Sequence, residues 1–489
     1  MTVRLLVVGG GIAGLAAAWD AVRTGAEGEP VEVTVLEASD RLGGKIRTSD
    51  MVLPDGARLR IDEGADAFLA RVPDAVQLCE ELGLSGELTQ PAIGRAKVLA
   101  GEQLRLMPTQ TVLGVPLDPD ELAETGILSA DAIEQVRAER DLEAPAPAGD
   151  VTIGEFLAQR FGRELVDRLV GPLIGGINAG DVDELSLQAV TPQLAEAAAD
   201  GGSLSAALQR RRAAAPQAGP VFHALLDGTQ RMVDALVEQL RARGVTLRTG
   251  VEVRNLVRTD GVLAAEVVAT GAGSAASSTG AERMAAERIE ADAVVLATPA
   301  PAAASLLGEL SCDAAAELRA ISHSSVVLVT LIYDRASLSG LQDGELKASG
   351  FLVPRSAGRF LTAVSFGSSK WAHWDDGRHV VLRASAGHVH DDRPLDMDDD
   401  QIVWSIVEDL RATMGLHAEP NATRVTRYPQ GFAQYGVGHL DRVARIEAAL
   451  ARDVPQVRVA GAAYRGGGIP ACLRQGREAA RARLDQGRT

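Results

Sequence analysis

The sequence predicts a mixed α/β fold in which one nucleotide-binding domain is assembled from segments at both ends of the chain. Near the start, the apolar residues 5–8 lead into three consecutive glycines and then into a helical pattern. Near the end, residues 457–461 (VRVAG) lead into a second glycine-rich loop and another helical pattern. Each end therefore predicts a strand, a glycine turn and a helix, which is the unit that binds dinucleotides.

The first glycine turn has the spacing of a pyrophosphate-binding loop, residues 9–14 (GGGIAG). Glycines let backbone N–H groups approach a pyrophosphate, and the helix N-terminus favours its negative charge. Glu37 ends the next predicted strand, where a carboxylate can bind ribose hydroxyls. A single loop of this kind does not distinguish NAD binding from FAD binding. Combined with residues 41–45 (RLGGK) and the C-terminal glycine loop, it indicates FAD.

Length, charge and cysteine content exclude several classes of protein. A chain of 489 residues predicts two or three domains. The net charge of −17, without a long basic run, argues against a nucleic-acid partner. The three scattered cysteines, Cys79, Cys312 and Cys472, show neither metal spacing nor a disulfide framework, so we expect no metal site and a cytoplasmic location. No stretch approaches the roughly 18 apolar residues of a spanning helix, so no membrane-spanning segment is expected.

Helical and strand patterns along the chain predict five segments. After hairpins and one helix, the pattern is mostly helical to about residue 208; strand signals return at 245–254 and at 294–298, around an Ala/Gly/Ser loop at 271–280. From 301 to 430, strands and loops alternate with one helix. The predicted segments are residues 1–78 (first FAD-binding segment), 79–214 (mainly helical cap at the substrate entry), 215–300 (second FAD-binding segment), 301–434 (substrate-binding antiparallel sheet) and 435–489 (third FAD-binding segment). The predicted fold is thus a Rossmann-like FAD-binding domain with a sheet domain and a helical cap.

Several motifs carry a resemblance to a known family. Residues 9–14, 41–44 and 63–66, together with the C-terminal loop ending in 468–470 (GIP), resemble the flavin monoamine oxidase and phytoene desaturase superfamily. Two stretches narrow it, residues 171–187 and residues 428–439 (YPQGFAQYGVGH), which are similar to segments of porphyrinogen oxidases. The resemblance runs along the whole chain and identifies it as a member of the coproporphyrinogen III oxidase and protoporphyrinogen oxidase family.

The resemblance implies an activity and a set of cofactor residues. The activity is an FAD-dependent, oxygen-consuming six-electron oxidation of coproporphyrinogen III to coproporphyrin III in haem biosynthesis, which produces hydrogen peroxide. The residues implied to bind FAD are Gly9, Gly10, Gly11, Ile12, Ala13, Gly14, Glu37, Ala38, Arg41, Lys45, Gly64, Ala65, Asp66, Ala67, Val253, Gly461, Gly468, Ile469 and Pro470. Cys472 lies in a context unlike that of enzymes with covalent flavin, so we expect noncovalent FAD.

The resemblance also implies substrate contacts. Arg95 matches a basic residue that meets a substrate propionate, with Lys97 as the alternative because one residue is inserted between there and Pro108. The pocket-lining positions are Asn178, Gly350, Leu352 and Val364. The flavin N5 is the implied hydride acceptor, and no side chain is assigned as a catalytic acid or base. Two departures from the pattern are Lys45, where some relatives carry an aromatic residue, and Ala433, where proline is usual.

Other functions stay open at this point. Protoporphyrinogen IX is the alternative substrate; we favour coproporphyrinogen because the acidic residues at 118–124 would be repelled by anionic lipid. A flavin amine oxidase is less favoured, because only 3% of the residues are aromatic and such enzymes use an aromatic cage. A non-catalytic flavin-fold carrier is a further alternative. The expected partners are the tetrapyrrole and O2, with a transient ferrochelatase contact as a guess; the oligomeric state and the physiological electron acceptor stay open.

Overall fold

The computed structural model describes residues 2–26, 30–214, 219–259, 261–270, 287–338, 340–341 and 344–484. The predicted loop at 271–280 lies outside these residues. The strands, in chain order, are β1 (Val3–Val8), β2 (Val31–Leu36), β3 (Thr48–Val52), β4 (Arg58–Asp62), β5 (Phe68–Leu69), β6 (Leu88–Thr89), β7 (Lys97–Ala100), β8 (Gln103–Leu106), β9 (Thr111–Val112), β10 (Val115–Pro116), β11 (Phe222–Leu225), β12 (Thr246–Arg248), β13 (Val251–Thr259), β14 (Val262–Ala269), β15 (Glu287–Ala291), β16 (Ala293–Leu296), β17 (His323–Asp334), β18 (Gly350–Leu352), β19 (Leu361–Phe366), β20 (His379–Ala386), β21 (Ala422–Ala433) and β22 (Val457–Val459).

The helices lie between these strands, and one of them is a π-helix, Val166–Gly175. The α-helices are α1 (Ile12–Ala26), α2 (Pro73–Glu81), α3 (Pro119–Thr125), α4 (Ala130–Ala138), α5 (Ile153–Phe161), α6 (Arg163–Leu165), α7 (Gly176–Asn178), α8 (Leu187–Val190), α9 (Pro192–Ala198), α10 (Leu204–Ala214), α11 (Gln230–Ala242), α12 (Ala300–Leu307), α13 (Cys312–Arg319), α14 (Gly367–Lys370), α15 (Arg393–Asp396), α16 (Asp399–Met414), α17 (His439–Asp453) and α18 (Ile469–Leu484). In the described ranges, no helix is long and apolar enough to cross a membrane.

A parallel sheet in the order β12-β2-β1-β16-β22 forms the nucleotide-binding unit. Its strands come from three separate stretches of the chain, which confirms the predicted assembly. Both faces are covered, so the central strands carry continuous apolar runs, at residues 5–8 of β1 and 293–296 of β16. Leu5 and Val7 of β1 pack towards α1, α11 and α18, whereas Leu6 and Val8 pack towards β14, α12, α13 and α17.

A second sheet, with seven strands among the described residues, has the order β21-β17-β20-β19-β18-β7-β8. Its pairs are antiparallel except β18 with β7, which run parallel. Helix α16 covers one face and contributes to a common core with β17, β19 and β20.

The structure differs from the expected content of the segments in two places. Residues 97–106, expected within the mainly helical segment 79–214, form β7 and β8 and extend the second sheet. Residues 300–319, expected at the start of the sheet segment, form α12 and α13 and pack on the nucleotide-binding unit. In both places the partner lies far away in sequence, so local patterns do not reveal it.

The cap consists of α3 to α10 and the π-helix, and all of these helices except α7 contribute to one apolar core. The π-helix contains Pro172 and ends where α7 begins. Ala179 follows with a φ of +48°, a left-handed conformation that is rare for a residue with a Cβ atom. The turn after α7 therefore carries backbone strain, a feature that clusters at ligand sites.

Candidate active site

The N-terminal glycine turn between β1 and α1 excludes side chains. Gly9 has a φ of +105°, and a Cβ atom added there would lie 2.6 Å from the carbonyl oxygen of Ala297. A Cβ atom on Gly14 would lie 2.0 Å from the carbonyl oxygen of Gly9. The bond from Leu15 N–H to Gly11 O, 3.0 Å, opens the helix, so the preceding N–H groups of the first turn face outwards. This arrangement fits a pyrophosphate.

Glu37 is fixed at the end of β2 beside this turn. One carboxylate oxygen accepts the Gly10 N–H at 2.7 Å, and the other accepts the N–H and hydroxyl of Ser39 at 2.9 and 2.7 Å. Carboxylate oxygens have further lone pairs, so the group can still accept ribose hydroxyls. The neighbouring Ala38 is exposed, and Val251 N–H donates to Glu37 O at 2.9 Å, which brings the start of β13, and with it the predicted FAD-binding residue Val253, close to this site.

The second glycine pair closes over the first turn. Gly43 N–H donates to Gly10 O at 2.8 Å, and a Cβ atom on Gly44 would lie 3.1 Å from Gly11 Cα. The Arg41 guanidinium donates to the carbonyl oxygen of Ile46 at 3.0 Å and also to that of Gly44. The Arg41 side chain therefore stabilises the conformation of the loop by bonding to main-chain carbonyl oxygens within it.

Lys45 and Gly64 lie where the nucleotide-binding unit meets the second sheet. The Lys45 ammonium donates to the carbonyl oxygen of Gly431 in β21. Burial lowers the pKa of Lys45, although some of its side chain remains accessible. A Cβ atom on Gly64 would lie 2.6 Å from Lys45 O and 2.7 Å from the Tyr428 hydroxyl oxygen. Only glycine fits between these two segments.

Asp66 is the centre of a charged network next to Gly64. Its Oδ2 lies 3.1 Å from Lys370 Nζ, 3.3 Å from Arg383 Nη1 and 2.9 Å from Trp371 Nε1. Burial by itself would raise the pKa of Asp66, but the two cations and the indole N–H outweigh it and lower the pKa to about 2. The Asp66 carboxylate is thus ionised and engaged with protein groups, and Arg383 also donates to Gly64 O.

The predicted FAD-binding residues also include Ala65, Ala67 and positions in the C-terminal glycine loop. Ala65 O accepts the Thr229 hydroxyl at 2.8 Å, and Ala67 is half-buried. Gly461 has a φ of +126°, and a Cβ atom on Gly468 would meet nothing closer than Pro470 Cδ at 3.9 Å. Ile469 begins α18, so the loop presents a helix N-terminus beside open space.

The two candidate cations for a propionate differ in their surroundings. Arg95 is exposed, and its Nε donates to Met107 O at 2.7 Å, which orients the guanidinium. Lys97 is buried in β7, and its ammonium lies 2.8 Å from the carboxylate and 3.1 Å from the carbonyl oxygen of Glu345. Lys97 is therefore already paired, whereas Arg95 is available to a ligand.

The structure brings together some of the predicted pocket positions and separates one. Leu352 in β18 faces the cap. A Cβ atom on Gly176, which lies in the same short helix as Asn178, would be 3.8 Å from Leu352 Cδ2. Gly350 has a φ of +147° and no room for a side chain beside Val364 O, at 2.1 Å from a Cβ. The Val364 side chain is 2% exposed and packs in the core under α16, on the face opposite to Leu352. The expectation that this side chain lines the pocket is not supported, because alternation along β19 turns it into the core.

Sequence reasoning assigned no role to several residues that organise this site. Arg383 is a buried cation within the apolar strand β20, a signal that could have been read from the sequence. Gln434 Nε2 donates to Asn178 O at 3.1 Å and to the Ser324 hydroxyl at 2.9 Å, and so links the cap to the sheet. Tyr435 and His439 contact the C-terminal loop, although the motif that contains them was used only for the resemblance.

Comparison with known proteins gives matches along nearly the full length. Residues 12–483 match the family of flavin-containing amine oxidoreductases. The coproporphyrinogen III oxidase of Bacillus subtilis is 33% identical over 97% of this chain and 97% of its own, and that of Propionibacterium freudenreichii is 34% identical over 98% and 90%. The crystal structure of a putative protoporphyrinogen oxidase from Exiguobacterium superposes with a TM-score of 0.83, at 29% identity, over 99% of both chains. These matches confirm the resemblance; the chain belongs to the family of flavin-containing amine oxidoreductases and is a flavin-dependent oxidoreductase.

Proposed function

We propose that this protein oxidises coproporphyrinogen III to coproporphyrin III with FAD and O2. The observation that carries the proposal is the extent of the match to relatives named coproporphyrinogen III oxidase, which spans the cap and the second sheet as well as the nucleotide-binding unit. The geometry supports it, because the predicted flavin residues meet the second sheet at Lys45 and Gly64, and Arg95 offers a guanidinium to a carboxylate.

The FAD is held without a covalent bond to the protein. Burial raises the pKa of the Cys472 thiol to about 11 and that of Cys79 to about 12, so both are protonated and weakly nucleophilic at neutral pH. The chemistry that FAD supplies is two-electron oxidation, with O2 as the acceptor that is reduced to hydrogen peroxide. Acid precipitation of the purified protein should release the yellow chromophore into the supernatant; a yellow pellet would contradict noncovalent binding.

The role of this chain is to hold the flexible macrocycle in place and exclude water from it. Arg95 anchors a propionate, since guanidinium groups bind carboxylates through paired hydrogen bonds. Leu352 and the turn after α7 supply apolar and amide surface where β18 meets the cap. Pocket surfaces that are mostly apolar with a few polar anchors suit such a ligand.

Arg95→Ala tests the anchor. The substitution should raise KM about tenfold, with a smaller change in kcat, because the propionate contact is made equally in the ground and transition states. Lys97→Met tests the alternative anchor and, assayed well below its own unfolding midpoint, should leave KM unchanged, since Lys97 is paired with Glu345. An unchanged KM in Arg95→Ala would remove Arg95 from the site.

The activity itself is tested by porphyrin fluorescence and peroxide release when the aerobic protein meets coproporphyrinogen III and protoporphyrinogen IX in parallel. Faster emission with coproporphyrinogen III supports the proposal. The reverse order would favour the second candidate, protoporphyrinogen IX oxidation, which the name of the Exiguobacterium structure suggests for that protein. No emission with flavin bound would refute both and leave the amine oxidase and carrier alternatives. A cytoplasmic location and transient contact with a ferrochelatase accompany this proposal as predictions.

A further inference from the structure

Tyr435 lies between β21 and α17 and bonds to the C-terminal glycine loop at two points. Its hydroxyl donates to Ala462 O at 2.7 Å and accepts the Gly466 N–H at 3.0 Å. The side chain is buried, with 7% of its surface exposed, and burial raises its pKa, so the hydroxyl stays protonated and can act as both donor and acceptor. One phenol therefore closes both ends of a five-residue stretch of the loop.

His439 supports Tyr435 from the first turn of α17. The two rings are stacked, with centroids 4.0 Å apart and an interplanar angle of 12°. His439 Nε2 lies 2.8 Å from Tyr464 O, and a carbonyl oxygen only accepts, so the proton is on Nε2. Burial lowers the pKa of His439, which keeps the ring neutral. The pair thus contacts the loop main chain at residues 462, 464 and 466.

The loop depends on such contacts because of its own composition. Gly461, Gly466, Gly467 and Gly468 lie within eight residues, and glycine loses more conformational freedom than any other residue when it is ordered. A loop ordered before the ligand arrives binds it more tightly, since the entropy cost is already met.

We propose that Tyr435 and His439 are positioning residues that hold residues 461–468 in the conformation that binds the flavin. The inference rests on the proposed FAD site and gives a physical role to two residues of the 428–439 motif. The Gly466 N–H is taken by the phenol, so the proposal assigns flavin contacts to other N–H groups of the loop.

Tyr435→Phe tests the inference, because it removes the hydroxyl and retains the ring stack. We expect the dissociation constant for FAD, titrated by flavin fluorescence after the flavin is removed, to rise about tenfold. In flavin-free Tyr435→Phe, hydrogen exchange in peptides covering 462–468 should be faster than in the flavin-free wild type. In the flavin-bound variant, the visible absorption spectrum of the flavin should shift. Tyr333→Phe is the matched control: the Tyr333 hydroxyl is buried in β17, outside the loop, and has no hydrogen-bond partner in the described ranges, so its removal should leave all three readouts unchanged.

The outcomes separate this inference from the proposed function. A wild-type protein that binds no flavin would overturn both. If the wild type binds flavin, and Tyr435→Phe has the same flavin affinity and the same loop exchange as the wild type, the inference alone is overturned. If Tyr435→Phe does not fold, His439→Phe decides, since it keeps an aromatic stack and loses the bond to Tyr464 O: faster loop exchange and weaker FAD binding support the inference, and wild-type values refute it.

Discussion

Asp66→Asn should destabilise the protein at neutral pH and flatten its response to acid. The substitution removes the charge that compensates Lys370 and Arg383, which lie 3.1 and 3.3 Å from Asp66 Oδ2. The pKa of Asp66 falls from 3.8 to about 2 on folding, although burial opposes the shift. A shift of this size corresponds to about 2–3 kcal/mol of stability. Because the folded pKa is the lower one, this contribution is present above pH 4 and is lost as the pH falls towards about 2.

The assay is denaturant-induced unfolding, with excess FAD throughout, at a series of pH values from about 7 down to 3. The wild-type protein should be more stable than Asp66→Asn by about 2–3 kcal/mol at pH 7, and the difference should shrink below about pH 4. Asp396→Asn, which changes an exposed carboxylate, is the control and should follow the wild type. A constant difference between wild type and Asp66→Asn across the range would refute the assignment of the acid response to this network.

Two further predictions concern packing and burial. Gly14→Ala should abolish flavin retention, because the new Cβ atom would lie 2.0 Å from Gly9 O in the pyrophosphate turn; flavin absorbance per protein after purification measures it, and full retention would contradict the fit of this turn to FAD. Lys97→Met should lower stability by about 3 kcal/mol, because it leaves Glu345 without its partner in a largely buried pair. The thermal unfolding midpoints of the wild type, Lys97→Met and Arg95→Ala check this expectation. Arg95→Ala should unfold at the same temperature as the wild type, and equal midpoints in all three proteins would refute the prediction.

The nucleotide-binding unit was predictable because its signals are local. The strand, the glycine turn and the helix at each end occupy consecutive residues, and backbone sterics at Gly9 and Gly14 permit no other residue type. The apolar strand 293–296 was also recognisable, since a parallel sheet covered on both faces leaves no polar alternation in its central strands. The strand 457–459 was recognisable from the glycine loop that follows it.

The second sheet was predicted in outline and misassigned in detail. β7 joins β18 across about 250 residues of chain, and its short apolar pattern does not distinguish that pairing from a place in the cap. The same limit explains Val364. Its strand was recognisable, but the choice of face depends on register, and a shift of one residue reverses it.

By itself, the sequence determined the fold class, the two glycine turns and the family, because each depends on residue types at short, fixed spacings. The tertiary structure decided that Lys97 is paired with Glu345 whereas Arg95 is exposed and free to bind a ligand. It also placed Asp66 between two cations. Finally, it showed that Tyr435 and His439 bond to the main chain of the C-terminal loop. Each of these depends on which distant side chains share a desolvated space. Burial and charge in that space, rather than residue type, set the pKa and the free hydrogen-bonding capacity of each group.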